Sequence, residues 1–337
     1  MTWTRIASLF AILALPAGTG CGGSEDTNEG SAGGSSGTSK GRLALVAYST
    51  PEVVYDEIVP AFRRSGAGSD VGFKTSFGAS GEQSRAVEGG LEADVVSFSI
   101  EPDVERLVAA GVVAKDWKAA TPTKGVVSKS IVSFIVRKGN PKGVRTWDDL
   151  VKPGVKVVTP NPFTSGAAKW NLLGAFAHGG LPYVEKLIKD NVSVQPKSGR
   201  EALQTFAGGE GDVLLSYEYE ATTAIKKGEK GIELVRPADS TVEIEINIAR
   251  TENASPAARE FIDYVLGPQG QRRFVAWGYR PVDPATARAT KSRFPDPPKV
   301  TTIRDLGGWS KVNEDLFDPE QGSIAKIEED AGVSTAR

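Results

Sequence analysis

Short apolar runs alternate with helical segments from residue 43 onward, and this order limits the possible folds more than any other feature of the chain. Residues 43–48, 71–77 and 95–98 read as strands. Residues 51–63, 80–88 and 102–110 between and after them read as helices. In the first helix Val54, Ile58 and Phe62 share one face, and Pro51 is tolerated in the first turn. Such a βαβαβα order gives a parallel sheet covered by helices. A long apolar strand over residues 131–137 opens a second unit of the same kind. Its strands are expected at 156–158, 192–195, 213–216 and 232–235. Its helices are expected at 147–150, 165–177, 182–189, 200–207 and 218–227. A second long strand at 242–248 closes it, followed by helices at 256–265 and 269–277. Residues 283–298 and the C-terminal tail read as loop and irregular chain.

Composition removes whole classes of function. The chain has 337 residues, enough for one large or two medium domains, and a formal net charge of −2. No basic field exists for nucleic acid. Cys21 is the only cysteine and His178 the only histidine. An intramolecular disulfide is therefore impossible, a zinc site is nearly excluded, and Ser-His-Asp or Cys-His catalysis is disfavoured. No carboxylate cluster has metal-ligand spacing, and no cofactor is expected.

The first 20 residues read as an export signal. Arg5 precedes an apolar run over residues 6–15 that is too short to span a bilayer. Small residues then lead to Cys21, as in bacterial lipoprotein signals, although Gly18 stands where leucine is usual. Cys21 is the expected lipid attachment point; an ordinary secretory signal with an incidental cysteine is the other reading. Residues 21–40, rich in Gly, Ser and Thr, read as a flexible tether.

The densest chemical signal lies at residues 157–170. Val157 and Val158 end a strand, and Thr159-Pro160-Asn161-Pro162 neither continues a ladder nor starts a helix. Ser165 is a good N-cap for the helix that follows. The first N–H groups of that helix have no intrahelical partner, and the helix dipole adds partial positive charge there. Gly166 and Ala167 leave those groups open, which suits a small anion. A plain capped strand-to-helix turn explains the same residues.

The run TPNPFTSGAAKW (residues 159–170) resembles a signature of bacterial sulfate/thiosulfate-binding proteins, the solute receptors of ABC importers. SFGASGEQS (residues 76–84) resembles a second signature of that family, in the same order. The resemblance implies an α/β fold of two lobes, each a mostly parallel sheet flanked by helices, joined by two crossover hinge strands (a type II periplasmic-binding-protein fold). The first lobe would comprise residues 41–129 and 243–337 and the second residues 130–242.

The same resemblance implies a set of anion contacts, each where a strand gives way to a loop or helix. Ser49 stands where the family has Asp; its N–H remains, while a simple capping role for the next helix is the other reading. Ser80 matches a backbone donor, although Ser80-x-x-Gln83 is also a capping-box pattern. Ser165, Gly166 and Ala167 carry over as a hydroxyl and N–H donors. Gly199 best matches a further backbone donor in a loop one residue shorter than the family's. Arg200 beside it either neutralises charge indirectly or caps the surface. Tyr217 replaces the family's tryptophan, and either donates through its hydroxyl or is a core tyrosine.

Sulfate suits a pocket of neutral donors, because at neutral pH it presents only acceptors. A protonated phosphate would leave one proton unpaired, so selectivity comes from rejection. The implied function is an extracytoplasmic, membrane-anchored or periplasmic receptor that passes sulfate to ABC permease subunits, acting as a monomer and not as an enzyme. Receptors for thiosulfate, molybdate or another tetrahedral oxyanion are alternatives in the same class. A secreted sulfate or phosphate ester hydrolase is the alternative from another class; it would need His178 as its base, and that residue reads as a helix-end group.

Overall fold

The computed structural model describes residues 41–335. The expected signal, tether and Cys21 lie outside the described residues. The first unit runs β1 (Arg42–Tyr48), α1 (Glu52–Arg63), β2 (Gly72–Gly78), α2 (Ser80–Glu88), β3 (Val95–Phe98) and α3 (Glu101–Ala109). β1 lies between β2 and β3, parallel to both. Leu43, Leu45 and Ala47 on one face of β1 pack into the same core as Val54, Ile58 and Phe62 of α1. The spacing of four that marked those helical residues as one face is what buries them together.

β4 (Val126–Arg137) then crosses to the second unit. Its first half pairs antiparallel with β9 (Thr241–Arg250) and its second half with β7 (Val213–Tyr217). β9 in turn pairs antiparallel with β3. The strand order β2-β1-β3-β9-β4-β7-β5 (Val157–Val158)-β6 (Val192–Val194) makes one continuous mixed sheet, with the two long strands at its centre. The second unit also contains α4 (Trp147–Leu150), β5 (Val157–Val158), α5 (Gly166–Lys186), β6 (Val192–Val194), α6 (Gly199–Ala207), α7 (Glu218–Lys226) and β8 (Ile232–Val235). β5 is parallel to β6 and β7. This is the α/β, periplasmic-binding-protein-like architecture.

Local differences from the sequence reading have identifiable causes. β4 starts at Val126, five residues before the expected strand, because Val126–Ile131 find partners in β9. The helices expected at 165–177 and 182–189 are joined through a kink at Gly180, whose φ of 68° suits glycine. A π-helical turn, Leu187–Asn191, finishes this segment.

α8 (Ala257–Leu266) packs on β9, and α9 (Pro268–Ala276) packs on α8 and α1. The expected loop at 283–298 contains α10 (Pro284–Thr290), capped by Asp283, whose carboxylate accepts the Thr286 N–H. β10 (Val300–Thr301) pairs with β9. The expected irregular tail contains α11 (Trp309–Val312) and α12 (Ser323–Asp330). The tail packs on α5 and the segment after β6. Trp309 meets Trp170 edge to face at 4.8 Å, Lys169 donates to Asn313 at 2.8 Å, and Gln195 donates to both carboxylate oxygens of Glu328. Single-sequence periodicity missed these short helices because they contribute only a few buried side chains each.

Candidate functional site

Several strand ends and helix starts meet at one small cavity with about 200 Å³ of atom-free space. From the first unit it is bordered by Ser49 and Thr50 after β1, by Ala79 and Ser80 before and at the start of α2, and by Ser99 after β3. From the second unit it is bordered by Ser165 and Ala167 at α5 and by Ser198 and Gly199 at α6. α2, α5 and α6 therefore present their N-terminal turns to one volume. Their leading N–H groups have no partners inside their own helices, and their dipoles add in sign. Among the described residues no lysine or arginine borders this cavity.

Each helix start has a local reason. Ser165 is the N-cap of α5, but its side chain caps no N–H of the helix. It is 4% exposed and borders the cavity, and its hydroxyl is not spent on the helix. Gly166 suits this place: a Cβ there would lie 2.1 Å from Ser99 Oγ and 3.1 Å from Ile100 Cγ2, so those side chains would have to move. Ala167 is buried, and its Cβ lies 3.6 Å from where a Cβ on Gly199 would be, which brings the starts of α5 and α6 together. At α6 the Ser198 hydroxyl accepts the Glu201 N–H at 3.2 Å. Ser198 is thus the cap and Gly199 the first helical residue.

The capping-box reading of Ser80 does not hold. Ala79 is the N-cap of α2, and Ser80 is its first residue. The Ser80 hydroxyl donates to Asp103 Oδ2 at 2.6 Å and accepts the Ser99 N–H at 3.1 Å. Gln83 accepts from Ser76 instead. The side chain of Ser80 is therefore committed, and only its backbone remains for a ligand.

Two acids are buried next to this anion-suited cavity. Asp103 sits behind Ser80; burial raises its pKa, opposed by the Ser80 hydrogen bond and by Lys169, Arg106 and Arg85. Glu220, 3% exposed, lies with Oε1 3.5 Å from the Cβ position of Gly199. Burial pushes it up to about 7, against the Ser216 hydroxyl that donates to it. A larger cleft, about 860 Å³ of atom-free space, adjoins the cavity at Ser165 and is lined by Arg85, Arg106 and Lys169. Cationic groups thus line the neighbouring cleft and not the small cavity.

The two units touch across the site. Arg200 donates to Glu52 and to the Ser49 carbonyl, so it is neither a surface cap nor a group bordering the cavity. Tyr219 Oη lies 2.9 Å from Tyr48 Oη and 2.8 Å from Thr50 Oγ1, and its ring stacks on Tyr279 at 3.6 Å. Trp170 Nε1 donates to the Ser99 carbonyl at 2.7 Å. Tyr217 is fully buried behind these groups and does not border the cavity; burial raises its phenol well above the usual value. The sequence reading missed Thr50, Ser99 and Tyr219. Ser99 was findable, since it follows β3 just as Ser49 follows β1.

A family model for bacterial extracellular solute-binding proteins matches residues 43–280. The chain belongs to that family. Among its relatives, a sulfate-binding protein of Synechococcus elongatus is 36% identical, over 94% of each chain. A thiosulfate-binding protein of Pseudomonas aeruginosa is 32% identical, over 82% of this chain and 89% of the relative. Among solved structures, the sulfate-binding protein SubI from Mycobacterium tuberculosis H37Rv superposes with a TM-score of 0.79 at 45% identity, covering 82% of this chain and 99% of that one.

All three of these relatives are binding proteins. In this solute-binding protein His178 lies against Trp147, 2.9 Å from Asp148 and 3.5 Å from Asp239, and does not border the cavity. Among the described residues no group of His, Cys, Asp and Glu is arranged to hold a metal ion, and no helix is long and apolar enough to cross a membrane.

Proposed function

We propose that this protein captures sulfate between its two units and delivers it to an ABC importer. The observation that carries this reading is a small cavity at which three helix N-termini meet without a lysine or arginine. A dianion with no proton to donate can take hydrogen bonds from every side there. The names of the relatives support sulfate, with thiosulfate as the nearest competitor.

The contacts in this reading are the backbone of Ser49, Ser80, Gly166, Ala167 and Gly199, and the Ser165 hydroxyl. The hinge is formed by β4 and β9, dividing the chain near residues 129 and 242. The tail after residue 308, which contacts the second unit, straps the two lobes. Lipidation of Cys21 holds the protein at the outer face of the membrane, where the closed form meets permease subunits; the protein works as a monomer without a cofactor.

The deciding experiment is isothermal titration of the purified, anion-stripped chain with sulfate, thiosulfate, molybdate and phosphate. Tight binding of sulfate is expected, with phosphate far weaker. Preference for thiosulfate or molybdate would move the protein to that ligand within the same class. Failure to bind any of the four would overturn the reading.

A further inference from the structure

Two adjoining hydroxyls at the site, those of Ser99 and Tyr217, have no hydrogen-bond partner among the described residues. Ser99 is 1% exposed and Tyr217 0% exposed, so solvent does not supply one. Buried hydroxyls without partners are costly, and each calls for an explanation such as a ligand or an ordered water. The backbone of Ser99 is already held on both sides. Its N–H goes to Ser80 Oγ, and its carbonyl accepts from Trp170 Nε1. Only its side chain is left, and Ser99 borders the cavity. Ser99 Oγ also occupies the space beside Gly166 that a Cβ would need, which places it at the first turn of α5.

Tyr217 stands one step behind. It does not border the cavity, yet Ser99 is the neighbour whose hydroxyl counteracts part of the upward shift of its phenol. The two oxygens are thus neighbours without a completed hydrogen bond between them. A phenol beside a serine oxygen has one simple use: it donates its proton and occupies a lone pair of that oxygen. The serine proton must then point elsewhere.

We propose that Ser99 donates a hydrogen bond directly to the bound anion, and that Tyr217 positions it by holding the Ser99 hydroxyl as a donor. This rests on the sulfate-receptor reading and names the residue pair that enforces it. A free serine hydroxyl can turn round and accept a proton, and so tolerate a hydrogen phosphate. A serine that already accepts from Tyr217 is biased towards donating, which keeps the wall of the cavity closed to protonated anions.

The test uses the purified full chain and three variants, Ser99→Ala, Tyr217→Phe and the double variant, titrated with sulfate and with phosphate, each with a melting curve. Ser99→Ala should weaken sulfate binding by about 10- to 100-fold, as for loss of a hydrogen bond to a charged group. Tyr217→Phe should weaken it less and should narrow the sulfate-to-phosphate preference, a change that loss of packing alone would not produce. The double variant should bind sulfate no worse than Ser99→Ala, because Tyr217 acts only through Ser99. Wild-type affinity in Ser99→Ala overturns the proposal. So does a double variant whose losses multiply, which would put Tyr217 on the anion itself. If the unmodified chain takes up no sulfate, the functional reading falls first; sulfate binding by the wild type with an indifferent Ser99→Ala sinks this inference alone.

Discussion

Arg200, the second residue of α6, donates across the cleft to Glu52 at the start of α1 and to the carbonyl of Ser49 at the end of β1. One side chain thus ties the second unit to the strand end that borders the anion cavity. The bridge exists only when the units are together, so it bears on the closed state and not on the fold of either unit. Both partners are about a third exposed, at 36% and 34%, and water screens the pair. Its worth is accordingly about 1 kcal/mol, or roughly fivefold in affinity. Arg200→Gln is expected to weaken sulfate binding by that factor, mostly through faster release, with an unchanged melting curve for the anion-free protein. Stopped-flow release together with titration checks this; unaltered release would remove Arg200 from the closing contact.

Ser165 should behave differently, because its hydroxyl is not used by its own helix. Ser165→Ala is expected to cost about 1.5–3 kcal/mol of sulfate binding, the range for a hydrogen bond to a charged group, with little effect on the melting temperature. Ser165→Asp should abolish binding, since a buried carboxylate faces the dianion. Tight sulfate binding by the Asp variant would place the anion elsewhere.

The strand-to-helix order of residues 43–110 was legible in the sequence because its strands are short apolar runs, β1 being buried on both faces, while α1 repeats its apolar residues at helical spacing. The start of α5 was legible for another reason. A proline-broken run followed by Ser-Gly gives an extended approach and an open first turn, and Gly166 leaves room for Ser99 Oγ. What stayed hidden was pairing between residues far apart in the sequence. Nothing near Ser80 in the sequence announces that its hydroxyl belongs to Asp103, 23 residues on. Likewise Tyr219 meets Tyr48 and Thr50 about 170 residues away. Such contacts depend on how elements pack, α2 against α3 within the first unit and Tyr219 across the two units, which local periodicity does not encode. The helices of the tail escaped for want of apolar repeats.

The proposed anchoring through Cys21 should be independent of the anion site. Cys21→Ser is expected to release the protein from the membrane fraction and leave sulfate affinity unchanged, because the predicted tether separates this residue from the folded chain. Fractionation of cells with an antibody against the protein reads the outcome. Retention of the processed Ser variant in the membrane would end the lipid reading of Cys21.

Glu220 and Glu328 give the chain a pH dependence whose sign is fixed by burial. Both are raised from 4.5 to about 7, Glu220 against the Ser216 hydroxyl and Glu328 against the amide of Gln195. The folded chain therefore holds these two protons more tightly than the unfolded chain does. The stability this confers is fully present below about pH 4.5, declines as pH rises towards 7, and is flat above it. Each group should contribute a slope of about 1 kcal/mol per pH unit within that window. Asp103, also raised by burial, adds the same sign. The anion-free protein should melt higher at pH 5 than at pH 7.5. Glu328→Gln should remove part of that slope and leave sulfate binding alone, since Glu328 sits in α12 and does not border the cavity. Glu220→Gln should remove its own part and also act on the ligand. Its carboxylate lies beside Gly199, and when ionised it repels a dianion there. Sulfate affinity of the wild type should thus fall as pH rises through 7, and the Glu220→Gln variant should hold its affinity across the same range. Melting and titration at matched ionic strength from pH 5 to 8 separate the two acids; a wild type whose affinity rises over that interval would show that Glu220 does not face the anion as a charge.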